Sequence, residues 1–216
     1  EWLNTSTGFN SLDNPSWMLG AKVVQENEAV QTGIINRTSF MSSETWYGYA
    51  AASAFPCVDA GLYARISDTD FRKLSFVAPA GSALSGQEPY VNQDFVGAIP
   101  PYASLKFRPG FGNPDDFTVG SSTAIPVMRV EEMWLIEAEA AAHQSYQRGK
   151  DLIEDFMAYR DENYACQAST QDELVDEIVL QKRIELWGEG QSYFDFKRLD
   201  MSVIRGYQGT NAPPSA

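Results

Sequence analysis

The chain has 216 residues, of which 44% are hydrophobic and 12% aromatic, which is typical of a folded protein with one sizeable domain or two small ones. Its 29 acidic and 16 basic residues give a formal net charge of −13. This charge excludes sequence-independent binding to the phosphate backbone of nucleic acids. No apolar run approaches the ~20 residues of a membrane-spanning helix, and no signal-peptide pattern is present.

The amino-terminal half, residues 1–127, is predicted to be rich in loops. It holds 11 of the 16 glycines and 9 of the 11 prolines, which interrupt regular structure every few residues. The segment Ser16–Val24 is short, apolar and partly β-branched, which predicts a strand or a buried extended segment. Frequent aromatic residues between Ala78 and Pro126 indicate that the long loops there are ordered.

Three aromatic residues crowd together at Trp46, Tyr47 and Tyr49. The polar residues from Ser42 onward suit the start of a helix reaching Phe55. Because three large rings in four positions cannot all face one core, at least one of them is expected at the surface. For any single ring, packing inside the core is the alternative.

The segment around Asp68 and Asp70 is predicted to form a turn, in which the two carboxylates make ion pairs with Arg72 and Lys73. Calcium binding is the alternative, but the segment lacks the glycine and the closing glutamate of an EF-hand loop. Cys57 and Cys166 form no metal-binding or disulfide pattern, so we expect two buried free thiols, with a single bridge as the alternative. The sequence therefore predicts no metal site and no cofactor.

The second half, residues 128–199, is predicted to be helical. Two helices are predicted, one on either side of a break at Gly149, because apolar residues recur at helical spacing in Met128–Tyr146 and in Lys150–Tyr159. Together they resemble one antiparallel tetratricopeptide-like pair, in which small residues allow close approach. The expected close contacts are Ala138, Ala141 and Ala142.

A third helix is predicted to begin at Thr170, where Thr170 and Glu173 form a capping box. It is apolar nearly all round, so we expect it to cover the helical pair and to end near Gly188–Gly190. The aromatic and polar residues up to Leu199 are predicted to form a short packed segment, followed by a tail over residues 200–216.

Two glutamates near the end of this helix, Glu185 and Glu189, repel each other at a spacing of four residues. If they are buried, cations must pair with them, and Arg183 and Arg198 are the favoured partners. A structural network of ion pairs is the preferred interpretation, and a catalytic carboxylate pair is the alternative.

No catalytic constellation is present in the sequence. The motifs of α/β-hydrolases, P-loop enzymes and zinc proteases are missing, and the one histidine, His143, has no cysteine or second histidine near it. We therefore expect no catalytic residues and no enzyme activity.

The segment RIELWGEGQSYFDFKRL, together with VMRVEEMWLIEAEAAA and LYARISDTDFRKLSF, resembles the carboxy-terminal half of SusD/RagB family proteins. The family pattern has Glu and Arg where this chain has Gln181 and Lys182. The resemblance implies a mainly α fold with a tetratricopeptide-like helical pair, packed helices and a loop-rich, aromatic-rich half within one structural domain.

The resemblance also implies a function. Proteins of this family are outer-membrane lipoproteins of Bacteroidetes that bind polysaccharide or oligosaccharide at the cell surface, without catalysis, and deliver it to a SusC-like TonB-dependent transporter. Membrane attachment would be through a lipid anchor absent from this chain. The alternatives are a helical-repeat scaffold for protein interactions and an acidic glycosidase.

The glycan site is predicted in the loop-rich half, because sugars stack on exposed rings. Trp46, Tyr47 and Tyr49 are the first candidates, with Trp17 and Trp2 behind them. The polar groups expected beside them are those of Asn36, Arg37, Ser42, Ser43 and Glu44. We also expect the chain to be part of a longer protein, with an exposed apolar face beside Val130, Met133 and Trp134.

Overall fold

The structure, a computed structural model, describes residues 9–212, so the predicted ligand-binding residue Trp2 lies outside the described residues. The amino-terminal half consists of loops punctuated by short elements, as predicted. These are strand β1 (Trp17–Ala21) and helices α1 (Glu28–Gln31), α2 (Arg37–Met41), α3 (Gly48–Ala51), α4 (Ala60–Ala64) and α5 (Phe117–Gly120), with 3₁₀ turns at Phe71–Ser75, Gln93–Phe95 and Gly110–Gly112.

The carboxy-terminal half is helical, and the prediction of a mainly α fold is confirmed. It consists of strand β2 (Ile125–Arg129) and helices α6 (Val130–Ala142), α7 (Tyr146–Met157), α8 (Gln171–Glu185) and α9 (Gln191–Arg198). Strands β1 and β2 pair antiparallel, with Trp17 opposite Arg129 and Ala21 opposite Ile125. This pairing explains why the first long helix begins at Val130 and not at the predicted Met128.

Helices α6 and α7 run antiparallel, as their contacts show. Ala142 at the end of α6 faces Gly149 at the start of α7, while Trp134 near the start of α6 donates to the carbonyl of Leu152 and packs its ring on Phe156. Helix α8 covers this pair through Leu174 and Ile178, as predicted. The shared core contains Leu135, Ala138, Ala142, Ile153, Phe156, Met157, Cys166, Leu174 and Ile178.

A second core joins α8 to the loop-rich half. Leu180 and Ile184 pack against α4 and the residues around it, namely Val58, Leu62, Tyr63, Ile66 and Phe76. Helix α8 therefore has apolar contacts on two sides, which is the reason for its nearly uniform apolar surface.

The capping box at the start of α8 is confirmed. The Thr170 hydroxyl accepts from the Glu173 N–H at 3.2 Å, and the Glu173 carboxylate accepts from the Thr170 N–H at 3.3 Å. Helix α8 ends at Glu185, earlier than predicted, because the chain reverses through Gly188 and Gly190, both of which have positive φ. The segment after this turn is a further helix, α9, where the sequence predicts only a short packed segment.

Gly149 lies inside α7, so the predicted helix break there is wrong. A Cβ atom at this position would lie 2.6 Å from both Cα and Cβ of Ala142. The sequence alone does not distinguish a glycine that breaks a helix from one that lets a neighbouring helix approach. Here it allows the close contact of α7 with α6.

Substituting Gly149 by alanine should lower the free energy of unfolding by about 1–3 kcal/mol, because the new methyl group would push α6 away from α7. In an unobstructed helix the same change would be stabilising by about 1 kcal/mol. Gly206→Ala is the control, since no atom lies within 4 Å of its added Cβ. Urea unfolding measures both, and a Gly149→Ala variant at least as stable as the parent would contradict the close approach.

The two cysteines are free. Cys166 is buried, as expected, whereas Cys57 is exposed and corrects the expectation of two buried thiols. No helix within residues 9–212 combines the length and apolarity needed to cross a membrane.

Candidate functional site

Two of the predicted site residues, Trp46 and Tyr49, have exposed rings in the loop-rich half. Trp46 is 46% exposed and stacks on Phe95 with ring centroids 4.5 Å apart. Tyr49 is 37% exposed and stacks on Phe40, also at 4.5 Å. We refer to Phe40, Trp46, Tyr49 and Phe95 as the aromatic surface. Each exposed ring is held by a second ring, so its orientation is fixed.

The backbone around these rings is also held in place. The Trp46 N–H donates to the carbonyl of Pro114 at 2.8 Å, and the Thr45 hydroxyl donates to the carbonyl of Tyr47 at 3.0 Å. Gly48 has φ +63° and lies against Ser39 of α2, so close that an added Cβ would be 2.7 Å from the serine Cβ. A side chain at position 48 would therefore displace the loop that presents Trp46 and Tyr49.

Tyr47 and Trp17, also predicted as ligand-binding, are packed into the protein. The Tyr47 ring is half-buried against Phe117, and burial raises the pKa of its hydroxyl to about 12. Trp17 is half-buried edge-on against Phe9. The chain has one loop with three crowded rings, and the structure turns the middle ring inward and the outer two outward.

The predicted polar neighbours do not line the aromatic surface. Asn36, Ser42, Ser43 and Glu44 are buried, so they cannot reach a ligand at the surface, and this corrects the prediction. Asn36 caps α2, and the Ser42 hydroxyl accepts from the Glu44 N–H at 3.3 Å. The predicted helix start at Ser42 is wrong for the same reason, because these side chains brace a loop and only Gly48–Ala51 is helical.

Glu44 lies beneath the loop that carries Trp46. Its carboxylate accepts from the Val91 N–H at 2.6 Å and lies 3.4 Å from the Arg108 guanidinium. Burial raises the pKa of Glu44 to about 7, against the opposing effects of Arg108 and the Val91 N–H. Glu44 therefore ties two loops of the amino-terminal half together from inside.

The elevated pKa of Glu44 predicts a pH dependence. A carboxyl whose pKa is higher in the folded state stabilises the fold fully below its ordinary value near 4.5, and that contribution is lost as the pH rises through about 7. Between pH 5 and 8, the free energy of unfolding should fall by roughly 1–3 kcal/mol more in the parent than in Glu44→Gln. Urea unfolding across this range tests it, and equal pH slopes would contradict it.

The second predicted feature is a buried network of ion pairs around Glu185 and Glu189. Glu185 pairs with Arg72 at 3.2 Å and with Arg129 and Arg160 at 3.3 Å each. Glu189 pairs with Lys106 at 2.5 Å and with Arg129 at 2.8 Å. All of these side chains are at most 15% exposed.

The predicted partners Arg183 and Arg198 are not part of this network. Arg183 lies over the Phe196 ring, and Arg198 pairs with Glu139 at 2.6 Å and with Asp195 at 2.8 Å. The reversal after α8 carries α9 away from Glu185. The cations that do reach the two glutamates come from distant segments of the chain, which local sequence does not reveal.

Gln181 and Lys182, the two positions that differ from the family pattern, form hydrogen bonds and ion pairs with other side chains of the protein. The Gln181 side chain accepts from Arg72 at 2.5 Å and donates to Glu177 at 2.8 Å. Lys182 pairs with Asp195 at 3.0 Å. Gln181 thus extends the network around Arg72, while Lys182 connects α8 to α9.

The network favours a structural role for Glu185. Burial would raise the pKa of this carboxyl, but the charges of Arg160, Arg129 and Arg72 hold it well below its ordinary value. A general acid needs an elevated pKa, so Glu185 has the opposite property. A cavity of about 480 Å³ borders these residues, and Arg72, Lys106, Arg129 and Glu185 are in its lining.

Metal binding is not indicated by the geometry. Among residues 9–212, no group of three or more histidine, cysteine, aspartate or glutamate side chains is arranged to hold an ion. In the predicted turn, Asp70 pairs with Arg72 at 2.6 Å and Asp68 with Lys73 at 2.7 Å, which is the ion-pair interpretation of this segment.

An exposed apolar face lies on the opposite, helical half of the chain. Val130 and Trp134 of α6 are exposed on one side of the helix, as is Tyr159 just after α7. A shallow cavity of about 350 Å³ lies between Val130, Trp134 and Tyr159. The prediction of an exposed apolar face is confirmed at Val130 and Trp134, whereas Met133 is half-buried.

Sequence reasoning missed three exposed or supporting rings. Phe40 and Phe95 are the stacking partners of Tyr49 and Trp46, and Phe111 is 75% exposed with φ +54°. The Gly-Phe-Gly sequence around Phe111 is a turn signal that could have indicated its exposure. Nothing local indicates the two stacking partners, since they are 9 and 49 residues away from the rings they support.

Comparison with known proteins places this arrangement in context. Residues 116–212 match the model of the SusD family. A SusD-like carbohydrate binding protein from Bacteroides vulgatus ATCC 8482 has a similar structure, with a TM-score of 0.65 and 26% identity over 93% of this chain and 38% of that one.

A second similar structure is a SusD-like protein from Bacteroides fragilis NCTC 9343, with a TM-score of 0.53 and 15% identity. The match covers 91% of this chain and 45% of that protein, so this chain spans less than half the length of either neighbour. A search of curated proteins found no match. Residues 116–212 thus match the SusD family model, and nearly the whole chain shares the fold of a SusD-like carbohydrate binding protein.

Proposed function

We propose that this chain binds polysaccharide or oligosaccharide without catalysis, at the aromatic surface. The observation that carries the proposal is the pair of exposed rings, Trp46 and Tyr49, each stacked on a second ring at 4.5 Å. A sugar presents an apolar C–H face that packs on an aromatic ring, and a ring whose orientation is already fixed loses little entropy on binding. The similar protein from Bacteroides vulgatus is described as carbohydrate binding, which supports the same function here.

The acidic glycosidase alternative needs two carboxylates that reach a substrate. Glu44 has the elevated pKa of a general acid, but it is buried and engaged with Arg108 and Val91. Glu185 is buried among three arginines with a lowered pKa. In this proposal both glutamates therefore stabilise the fold, and the chain binds glycan without hydrolysing it.

Electrophoresis in gels containing different polysaccharides tests the proposal directly. We expect at least one polysaccharide to retard the protein, and the same gel should retard Tyr159→Ala equally, because Tyr159 is exposed on the helical half. Normal migration in a broad panel of plant, algal and host polysaccharides would contradict glycan binding.

We further propose that the bound glycan is delivered to a SusC-like TonB-dependent transporter at the outer membrane. The exposed face of Val130, Trp134 and Tyr159 supports a protein contact, since neighbouring exposed apolar residues mark interaction surfaces. It also favours the scaffold alternative, which is compatible with glycan binding elsewhere. Binding of the purified transporter to the parent but not to Tyr159→Glu would support this contact, and equal binding would contradict it.

A further inference from the structure

Exposed acidic residues adjoin, in the sequence, the residues that hold Trp46 in place. Asp94 is exposed directly before Phe95, on which Trp46 stacks, and Asp115 is exposed directly after Pro114, whose carbonyl accepts from the Trp46 N–H. Asp116 follows, with its charge held by hydrogen bonds from Thr118 and Val119. Two exposed carboxylates, those of Asp94 and Asp115, are therefore each one residue away from a residue that holds Trp46 in place.

Two arginines of the same half, Arg108 and Arg37, are engaged with other groups of the protein. Arg108 is buried, pairs with Glu44 and donates to the carbonyl of Pro89. Arg37 lies 4.2 Å over the Phe107 ring and donates to the carbonyl of Gly188 at 3.2 Å. The Arg108 guanidinium is thus engaged inside the fold, and the half-buried Arg37 guanidinium is engaged with Phe107 and Gly188. Recognition of a carboxylate or sulfate normally uses an available arginine or lysine.

We propose that the aromatic surface selects neutral glycans over glycans that carry carboxylate or sulfate groups, and that Asp94 and Asp115 set this preference. The inference rests on the proposed glycan binding. Stacking on Trp46 and Tyr49 does not depend on the charge of the ligand. The nearby carboxylates therefore do not weaken the affinity for a neutral sugar. An anionic sugar at the same rings meets two nearby like charges and a chain of net charge −13.

The test compares one neutral polysaccharide that retards the parent with the same polymer after oxidation of its primary hydroxyls to carboxylates. The two ligands share a backbone and differ in charge. Affinity is measured at low and at high salt, because screening weakens repulsion between exposed charges. The variant is Asp94→Asn/Asp115→Asn, and the control is Asp155→Asn/Glu162→Gln, which removes two exposed carboxylates from the helical half.

We expect the parent to bind the oxidised polymer several-fold more weakly than the neutral one, and high salt to reduce the difference. In Asp94→Asn/Asp115→Asn the ratio of the two affinities should be about 3-fold smaller than in the parent, whereas in Asp155→Asn/Glu162→Gln the ratio should be unchanged. Equal or tighter binding of the oxidised polymer by the parent would overturn the inference while leaving glycan binding intact. The same effect in variant and control would overturn the role of Asp94 and Asp115. Failure of the parent to bind either polymer would overturn the proposed function itself.

Discussion

Replacing Glu185 by alanine should lower the free energy of unfolding by about 3–5 kcal/mol, the effect expected when one partner of a buried ion pair is removed. Arg72, Arg129 and Arg160 all contact this carboxylate, and Arg72 and Arg129 have almost no exposure to water. Loss of the carboxylate would leave these guanidinium groups close to one another with less negative charge between them. Urea unfolding gives the measurement.

The matched control for Glu185→Ala is Glu137→Ala. Glu137 also pairs with an arginine, Arg148, at 3.2 Å, but the two side chains are 58% and 67% exposed. Water screens such a pair, so its removal should change the stability by only ~0–1 kcal/mol. If the two variants unfolded at the same urea concentration as the parent, Glu185 would not be the buried centre of a network.

Replacing Trp46 by alanine should weaken glycan binding by about 10-fold or more, because an exposed aromatic anchor commonly dominates the energy of a binding surface. Calorimetric titration of an oligosaccharide measures the affinity. Tyr49→Ala should also weaken binding, whereas Trp46→Phe should retain part of it, since a smaller ring still offers a flat apolar face.

Two checks make the Trp46→Ala result specific. The first is urea unfolding, because the variant uncovers Phe95 and must be shown to stay folded. The second is Tyr159→Ala, which removes an exposed ring from the other half and should bind as the parent does. Parent-like affinity in folded Trp46→Ala and Tyr49→Ala would place the ligand site elsewhere, with exposed Phe111 the next residue to examine.

The features that sequence predicted well are those encoded locally. Thr170 and Glu173 lie within one helical turn of each other, so the start of α8 can be read without knowledge of the fold. The periodic apolar residues of α6 and α7 likewise gave the helical pair. The same kind of reasoning failed at Gly149, since its close contact with Ala142 depends on how two helices pack.

The partners of Glu185 and Glu189 show the limit of local reasoning. The need for cations followed from two carboxylates on an apolar helix, but Arg72 and Arg129 are 113 and 56 residues from Glu185. Arg72 is brought there by the 3₁₀ turn Phe71–Ser75, and Arg129 by the end of strand β2. Arg183 is two residues before Glu185 and so projects from the opposite side of α8, while the reversal into α9 places Arg198 beside Glu139.

The candidate site was predictable in part for a similar reason. Crowding at Trp46, Tyr47 and Tyr49 required some ring to face outward, but the choice among them depends on distant contacts. Tyr47 turns inward toward Phe117, while Phe95 and Phe40 support the two outer rings. The sequence therefore located the loop and could not specify which rings it exposes.

The most direct test of the proposed site is hydroxyl-radical footprinting of the parent protein with and without a bound oligosaccharide. Trp46 and Trp134 are 46% and 36% exposed, so both indoles should be oxidised in the free protein. With ligand bound, we predict protection of Trp46 and Tyr49 and unchanged oxidation of Trp134 and Tyr159. Protection of Trp134 and Tyr159, with Trp46 and Tyr49 oxidised as in the free protein, would contradict the account.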